Sequence, residues 1–209
     1  MKIITMRPSH RCVLKAVLDV MKPKKLIEFG SGPNSTALLH ERIPQFISYE
    51  NHQEWVAKMT ADVPGVDIRH LPVPVKSFKI YPGELNKDTR TKIYDAMKSV
   101  VEDTNVVFID SYASTRIYAL LAFIGHFDIA ICHDSEKLTY WYEKAEKKMS
   151  GHIKITIQPP ARVPYIDVIV APRYLETCAD SFLPSLVDAI QRECMAMYGG
   201  LATVIAKKL

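Results

Sequence analysis

Four apolar runs in this chain carry an acid at or near their carboxyl ends, and stretches of helical spacing separate them. Glu28 lies in Leu26-Ile27-Glu28-Phe29, Glu50 ends Phe46-Ile47-Ser48-Tyr49-Glu50, Asp110 ends Asn105 to Asp110, and Asp134 ends Asp128 to Asp134. One acid at a strand end is ordinary; four, each after its own apolar run, form a pattern. Strands alternating with helices predict parallel βαβ units with helices on both faces of a sheet. Near-continuous apolar strands such as Val106 to Ile109 suit a sheet buried on both sides. In open sheets of this kind, ligands bind beyond the carboxyl ends of the strands, which is where these acids fall.

Element by element, apolar Val13, Leu14, Val17, Leu18 and Met21 predict a helix over Pro8 to Met21, ended by Pro23. A strand over Lys25 to Phe29, a turn over Gly30 to Ser35 and a helix over Ser35 to Arg42 follow. Further strands are expected at Phe46–Glu50, Val66–Leu71, Asn105–Asp110 and Asp128–Asp134. Helices are expected at Gln53–Ala61, Lys92–Glu102, Ser114–Ile124 and Glu136–Met149. Residues 72–92 read as a long irregular loop with prolines at 72, 74 and 82, and long loops in compact domains are often functional. Ile153–Ile157 and Tyr165–Val170 read as two strands around Gln158-Pro159-Pro160-Ala161, taken as a hairpin turn. A helix over Phe182–Met197 and a candidate final strand over Leu201–Ala206 close the chain. No linker or repeat divides it, so one domain over residues 1–209 is expected.

Composition narrows the function classes. Hydrophobic residues make up 48% and charged residues 24% of the 209, the balance of an ordinary globular protein. No apolar run is long enough to span a membrane, and the first residues lack the pattern of a signal peptide, so a cytoplasmic setting is expected. A net charge of +4 without a basic block does not point to nucleic acid. The cysteines at 12, 132, 178 and 194 have no zinc-type spacing and read as buried reduced thiols.

The turn after the first strand carries the chemistry. Gly30 and Gly32 let the backbone take positive φ and let a ligand approach closely, and the following helix directs free N–H groups at the same place. The dinucleotide fingerprint would need a third glycine where Ser35 stands. Glu50 ends the second strand, 22 residues after Glu28. A carboxylate there can accept from both hydroxyls of a ribose. A nucleoside-containing cofactor at residues 30–32 follows.

Leu26-Ile27-Glu28-Phe29-Gly30-Ser31-Gly32-Pro33-Asn34-Ser35-Thr36 resembles motif I of class I S-adenosylmethionine-dependent methyltransferases. Phe46 to Trp55 is similar to that family's second motif, and Val107-Phe108-Ile109-Asp110 with Arg116 to its fourth-strand motif. The likeness covers roughly residues 7–140. It implies a Rossmann-like, doubly wound, mostly parallel α/β sheet of seven strands with an antiparallel C-terminal hairpin. It also implies S-adenosyl-L-methionine held by Glu28, Gly30, Ser31, Gly32, Ser35, Glu50, Asn51 and Asp110. Gly30 and Gly32 would pass under the methionine part, Glu28 would hold the turn, Glu50 would take the ribose, Asn51 would sit beside the adenine, and Asp110 would face the methionine amine or the acceptor. The loop after Gly32 is one residue longer than in the closest subset, and no adenine partner stands out late in the third strand.

Candidates for a base, needed only where the acceptor has a proton to lose, are Asp110, His133 and Asp134. In the catechol-type branch, acids after the fourth and fifth strands bind Mg²⁺, with Asn directly after the second; Ser135 stands there in this chain, and no metal ligand is assigned. The acceptor is expected to be a small molecule, walled by residues 72–92 and 158–182, with Tyr140, Trp141 and Tyr142 as core or pocket wall. Two other classes stay open: an NAD-dependent oxidoreductase, which Ser35 in place of the third glycine counts against, and a non-catalytic cofactor-binding or assembly module.

Overall fold

In the computed structural model, side chains of the central strands alternate between two cores, one on each face of a single sheet. The structure describes residues 10–75, 77, 79–160 and 164–209. The elements are, in order, α1 (His10–Met21), β1 (Lys25–Phe29), α2 (Thr36–Arg42), β2 (Gln45–Glu50), α3 (Gln53–Asp62), β3 (Ile68–His70), α4 (Lys87–Lys98), β4 (Thr104–Ile109), α5 (Arg116–Phe123) and β5 (Phe127–His133). Then come α6 (Tyr142–Glu146), β6 (Ile153–Gln158), β7 (Ile166–Val170), α7 (Pro172–Leu175), α8 (Phe182–Tyr198) and β8 (Thr203–Lys208). Single 3₁₀ turns form at Pro82–Glu84 and Leu138–Tyr140.

The strand order is β3-β2-β1-β4-β5-β7-β6-β8. β1 to β5 are parallel, and β7, β6 and β8 add antiparallel. Among the described residues eight strands form the sheet where seven with a terminal hairpin were expected. The additional one is the candidate final strand, shifted to Thr203–Lys208, and it makes the C-terminal portion a three-strand antiparallel unit rather than a hairpin alone. The chain winds from β1 outward to β3, then restarts at β4 beside β1. This reversal opens a crevice at the carboxyl ends of β1 and β4.

Val106 and Phe108 pack with α1 and α8 on one face, where Cys12, Leu14, Leu186 and Ile190 are fully buried. Val107 and Ile109 pack with α4, α5 and α6 on the other, against Ile93, Met97, Leu120 and Phe123. Cys12 and Cys194 meet across α1 and α8 with sulfurs 3.4 Å apart, as free thiols. Cys12, Cys132 and Cys194 are buried, whereas Cys178 is half-buried, contrary to the expectation for it. Among the described residues no helix is long and apolar enough to cross a membrane.

Several expected elements move. α4 starts at Lys87 rather than Lys92 because the Asn86 side chain caps it, accepting from the Thr89 N–H at 2.8 Å. The single helix expected over Glu136–Met149 is broken: Trp141 takes φ 62°, separating the 3₁₀ turn from α6. The Pro8–Ser9 start of the first predicted helix and the Ala161–Val163 part of the β6–β7 connection lie outside the described residues.

Candidate cofactor and acceptor site

β1 ends because Gly30 turns the chain at φ 92°. Its N–H still bonds the Tyr49 carbonyl at 2.8 Å, and the chain leaving β4 crosses directly over it. A Cβ on Gly30 would lie 2.5 Å from the Asp110 carbonyl oxygen. Gly32 differs: its nearest obstacle is the Ser35 hydroxyl at 3.6 Å, and its φ is not in the left-handed region. The Gly32 carbonyl accepts from the Ser35 and Thr36 N–H groups, turning the chain into α2.

Below this turn lies Glu28, with no exposed surface. Its Oε2 accepts from the Thr36 and Ser48 hydroxyls, each at 2.7 Å. Thr36 in turn accepts from the Gly32 N–H at 2.8 Å. Glu28 thus ties β1, β2 and the glycine turn together from beneath. Burial raises its pKa to about 7, against the hydroxyls of Ser35, Thr36 and Ser48, which favour the ionised form.

Above the turn lies a cavity of about 540 Å³, in the range of small-molecule sites. One end is lined by Gly30, Ser31, Glu50, His52 and Trp55. Glu50 is 5% exposed. Its Oε2 accepts from the Ser31 N–H at 3.1 Å and hydroxyl at 3.2 Å, and Oε1 from the His52 N–H at 2.9 Å. Burial raises its pKa, and these donors hold the rise back. The Trp55 indole donates to the Ser31 carbonyl at 2.7 Å and fixes that wall.

The other end is lined by Asp110, Ser111, Tyr112, Ala113, Arg116, Asp134 and Tyr140. Arg116, 7% exposed, organises it. Its Nη2 donates to Asp110 Oδ1 at 2.8 Å, and Nη1 to Asp134 Oδ2 at 3.1 Å and the His133 carbonyl at 2.9 Å. Its Nε donates to the Ser111 carbonyl at 2.8 Å, and the guanidinium lies 4.7 Å from the Tyr140 ring. Asp134 sits at φ 56° at the end of β5, with Lys137 Nζ 3.3 Å from Oδ1. His133 Nδ1 lies 2.9 Å from Asp110 Oδ1. Burial pushes the Asp110 carboxyl up, but His133, then Arg116 and His10, outweigh it and lower its pKa to about 2. Asp110 is therefore a permanent anion and a weak base. The guanidinium occupies the place between the two carboxylates that Mg²⁺ would need, so this pair does not fit that ion.

Of the residues assigned from sequence, Gly30, Ser31, Glu50, Asp110 and Asp134 line the cavity. Glu28, Gly32, Ser35, Asn51 and His133 do not. Asn51 instead donates to the Leu71 carbonyl at 3.1 Å, bracing β2 against the end of β3. Among the described residues none of 72–92 or 158–182 lines it either; Tyr81 only stacks on Tyr140, with ring centres 5.8 Å apart. His52, Tyr112 and the adjoining Ser111 and Ala113 were not foreseen. Their signal was adjacency to Glu50 and Asp110, the strand-end acids.

His10, also unforeseen, lies behind the Asp110 wall. It is 7% exposed, its Nδ1 is 3.9 Å from Asp110 Oδ2, and its ring packs 5.4 Å from Phe108. Burial lowers its pKa to about 4, despite the pull of Asp110 in the other direction.

No protein-family profile matches the chain, and no curated protein does. Among solved structures it is similar to a methyltransferase-like protein from Silicibacter pomeroyi, with TM-score 0.52 and 16% identity over 90% of this chain and 96% of that one. A TehB-like S-adenosylmethionine-dependent methyltransferase from Corynebacterium glutamicum gives TM-score 0.47 and 10% identity over 78% of this chain and 87% of that one. A dimethyladenosine transferase from Plasmodium falciparum gives 0.45 and 13% over 80% and 64%. The chain shares its Rossmann-like α/β fold with the methyltransferase-like protein from Silicibacter pomeroyi. At these identities the likeness is one of fold.

Proposed function

We propose that this chain, as one domain, is an S-adenosylmethionine-dependent methyltransferase acting on a small molecule. The observation that carries the reading is Glu50: a nearly buried carboxylate at the end of β2, facing the cavity beside the Gly30 turn. A carboxylate offers about four lone-pair sites, and three donors already orient this one. The site that remains suits one hydroxyl of a ribose, and a second could bind only by displacing one of these donors. Ser31 and Trp55 shape the wall beside it, and Gly30 lets the turn pass close beneath the ligand. The fixed Asp110 anion at the far end suits the methionine ammonium.

When bound, the cofactor supplies a methyl group on a sulfonium, transferred by in-line displacement. The chain's task is then to position the two partners and exclude water. Tyr112 and Tyr140 wall the end where an acceptor would enter. Asp110 and Asp134 are both engaged by Arg116, so their role in this reading is to fix the end of the cavity. A proton-bearing acceptor would have to lose its proton by another route, which favours an acceptor that needs no strong base.

Calorimetric titration of S-adenosylmethionine and S-adenosylhomocysteine into wild type and Glu50→Ala tests this. Micromolar binding that Glu50→Ala weakens at least about tenfold, or about 1.4 kcal/mol, is the expected result. Binding of NAD in place of S-adenosylmethionine would turn the reading to an oxidoreductase. Cofactor binding with no turnover across an acceptor screen would turn it to a non-catalytic module.

A further inference from the structure

We propose that His10, Asp110 and His133 form a binding site for one divalent first-row transition-metal ion of the zinc or ferrous type. The three residues are far apart in sequence and converge from the first residue of α1, the end of β4 and the end of β5. One donor atom from each lies within 4.8 Å of the others. The two imidazole rings meet edge to face, 4.9 Å apart at 87°.

The independent sign is His10. It is 7% exposed, and among the described residues neither of its ring nitrogens has a hydrogen-bond partner. Buried polar groups are nearly always paired, and a neutral imidazole carries both a donor and an acceptor. An ion between the rings and the Asp110 carboxylate gives one of those nitrogens its partner. Two imidazoles and one carboxylate select borderline ions over Mg²⁺ or Ca²⁺. Metal bonds of about 2.1 Å place two ligands at most about 4.2 Å apart, so the widest pair closes by less than ~1 Å. Arg116 shares the Asp110 carboxylate, which makes the site weaker than a closed structural zinc site. Neither histidine lines the cofactor cavity. The ion would pin the start of α1 to the ends of β4 and β5, behind the wall that Asp110 forms. None of this depends on the methyltransferase reading.

The test uses the full chain, stripped with chelator and desalted, in the absence of S-adenosylmethionine. Co²⁺ is followed by its visible absorption and Zn²⁺ by calorimetry. One equivalent per chain is expected, with Co²⁺ displaced by Zn²⁺ and not by Mg²⁺. His10→Phe keeps the ring packing against Phe108 and removes the ligand; it should weaken binding at least about tenfold. Should circular dichroism show His10→Phe unfolded, His10→Gln replaces it with the same expectation. No uptake by wild type, or uptake that the His10 variant leaves unchanged, overturns the site. Cofactor titration into the stripped protein is a separate measurement, so either idea can fail alone.

Discussion

The two ends of the cavity rest on the same sequence device, an acid at or beside a strand terminus, and treat it in opposite ways. At the β1–β2 end, Glu28 and Glu50 are held by hydroxyls and backbone N–H groups, all neutral donors. Burial wins there, and both carboxyls are raised. At the β4–β5 end, Asp110 and Asp134 share Arg116, and Asp110 also faces two histidines. Charge wins there, and Asp110 is lowered. A low-dielectric site punishes a lone charge and rewards a paired one, so what an acid does is set by its neighbours rather than by its place at a strand end.

Removing the cation should show the largest effect. Arg116→Met leaves Asp110 to the histidines and Asp134 to Lys137, without the cation that bridged them, and breaking a buried pair typically costs about 3–5 kcal/mol. Urea unfolding of wild type and variant measures it. A loss under about 1 kcal/mol would mean that water, and not Arg116, compensates this end, and the contrast between the two ends would collapse. Close behind stands Gly30→Ala, which pushes a methyl group into the chain leaving β4 at a strained φ. We expect a loss of about 3 kcal/mol and weaker cofactor binding, since the same crossing sets the Gly30 turn and the Asp110 loop.

The pH dependence of stability should run in opposite directions at the two ends. The folded pKa of Glu28, about 7, lies above its unfolded value of 4.5. Between these values the folded chain holds more protons, so this contribution is complete below pH 4.5 and is lost as pH rises to about 7. The full loss is about 3 kcal/mol. For Asp110 the folded value, about 2, lies below 3.8; its contribution is present above pH 3.8 and is lost as pH falls through 2. Glu28→Gln should therefore gain stability over wild type at pH 8 and little at pH 4, by thermal melts at both. An equal difference at both pH values would mean that Glu28 stays ionised in the folded chain.

Much of this fold could be read from sequence because strand and turn signals are local. Lys25–Phe29 stood where expected, and the four strand-end acids marked the correct end of the sheet. Trp141 shows where such reading stops. Its left-handed conformation splits a predicted helix, and its ring meets tertiary neighbours: it lies 3.2 Å from where a Gly83 Cβ would be, with Arg90 over its face. At the site, Arg116 was visible as a residue, but its place between two acids from different strands exists only after folding. His10 gave no signal at all, being 100 residues from Asp110 in the chain.

Gly32→Ala is the smallest change and the sharpest check on the first end. Sequence pairs Gly30 and Gly32 as equals, while the structure separates them: one is wedged under a crossing chain at positive φ, the other has ordinary van der Waals space around it. A methyl group at residue 32 meets only the Ser35 hydroxyl, and alanine reduces the freedom of the unfolded chain, so stability should stay within about 1 kcal/mol of wild type. The Gly32 N–H to Thr36 bond and its link to Glu28 do not involve the added methyl. If cofactor affinity falls while stability holds, Gly32 is glycine for the ligand's sake, whereas Gly30 is glycine for the chain's. A loss of stability matching that of Gly30→Ala would show instead that the whole turn is one rigid unit, and the division of labour between the two glycines would be wrong.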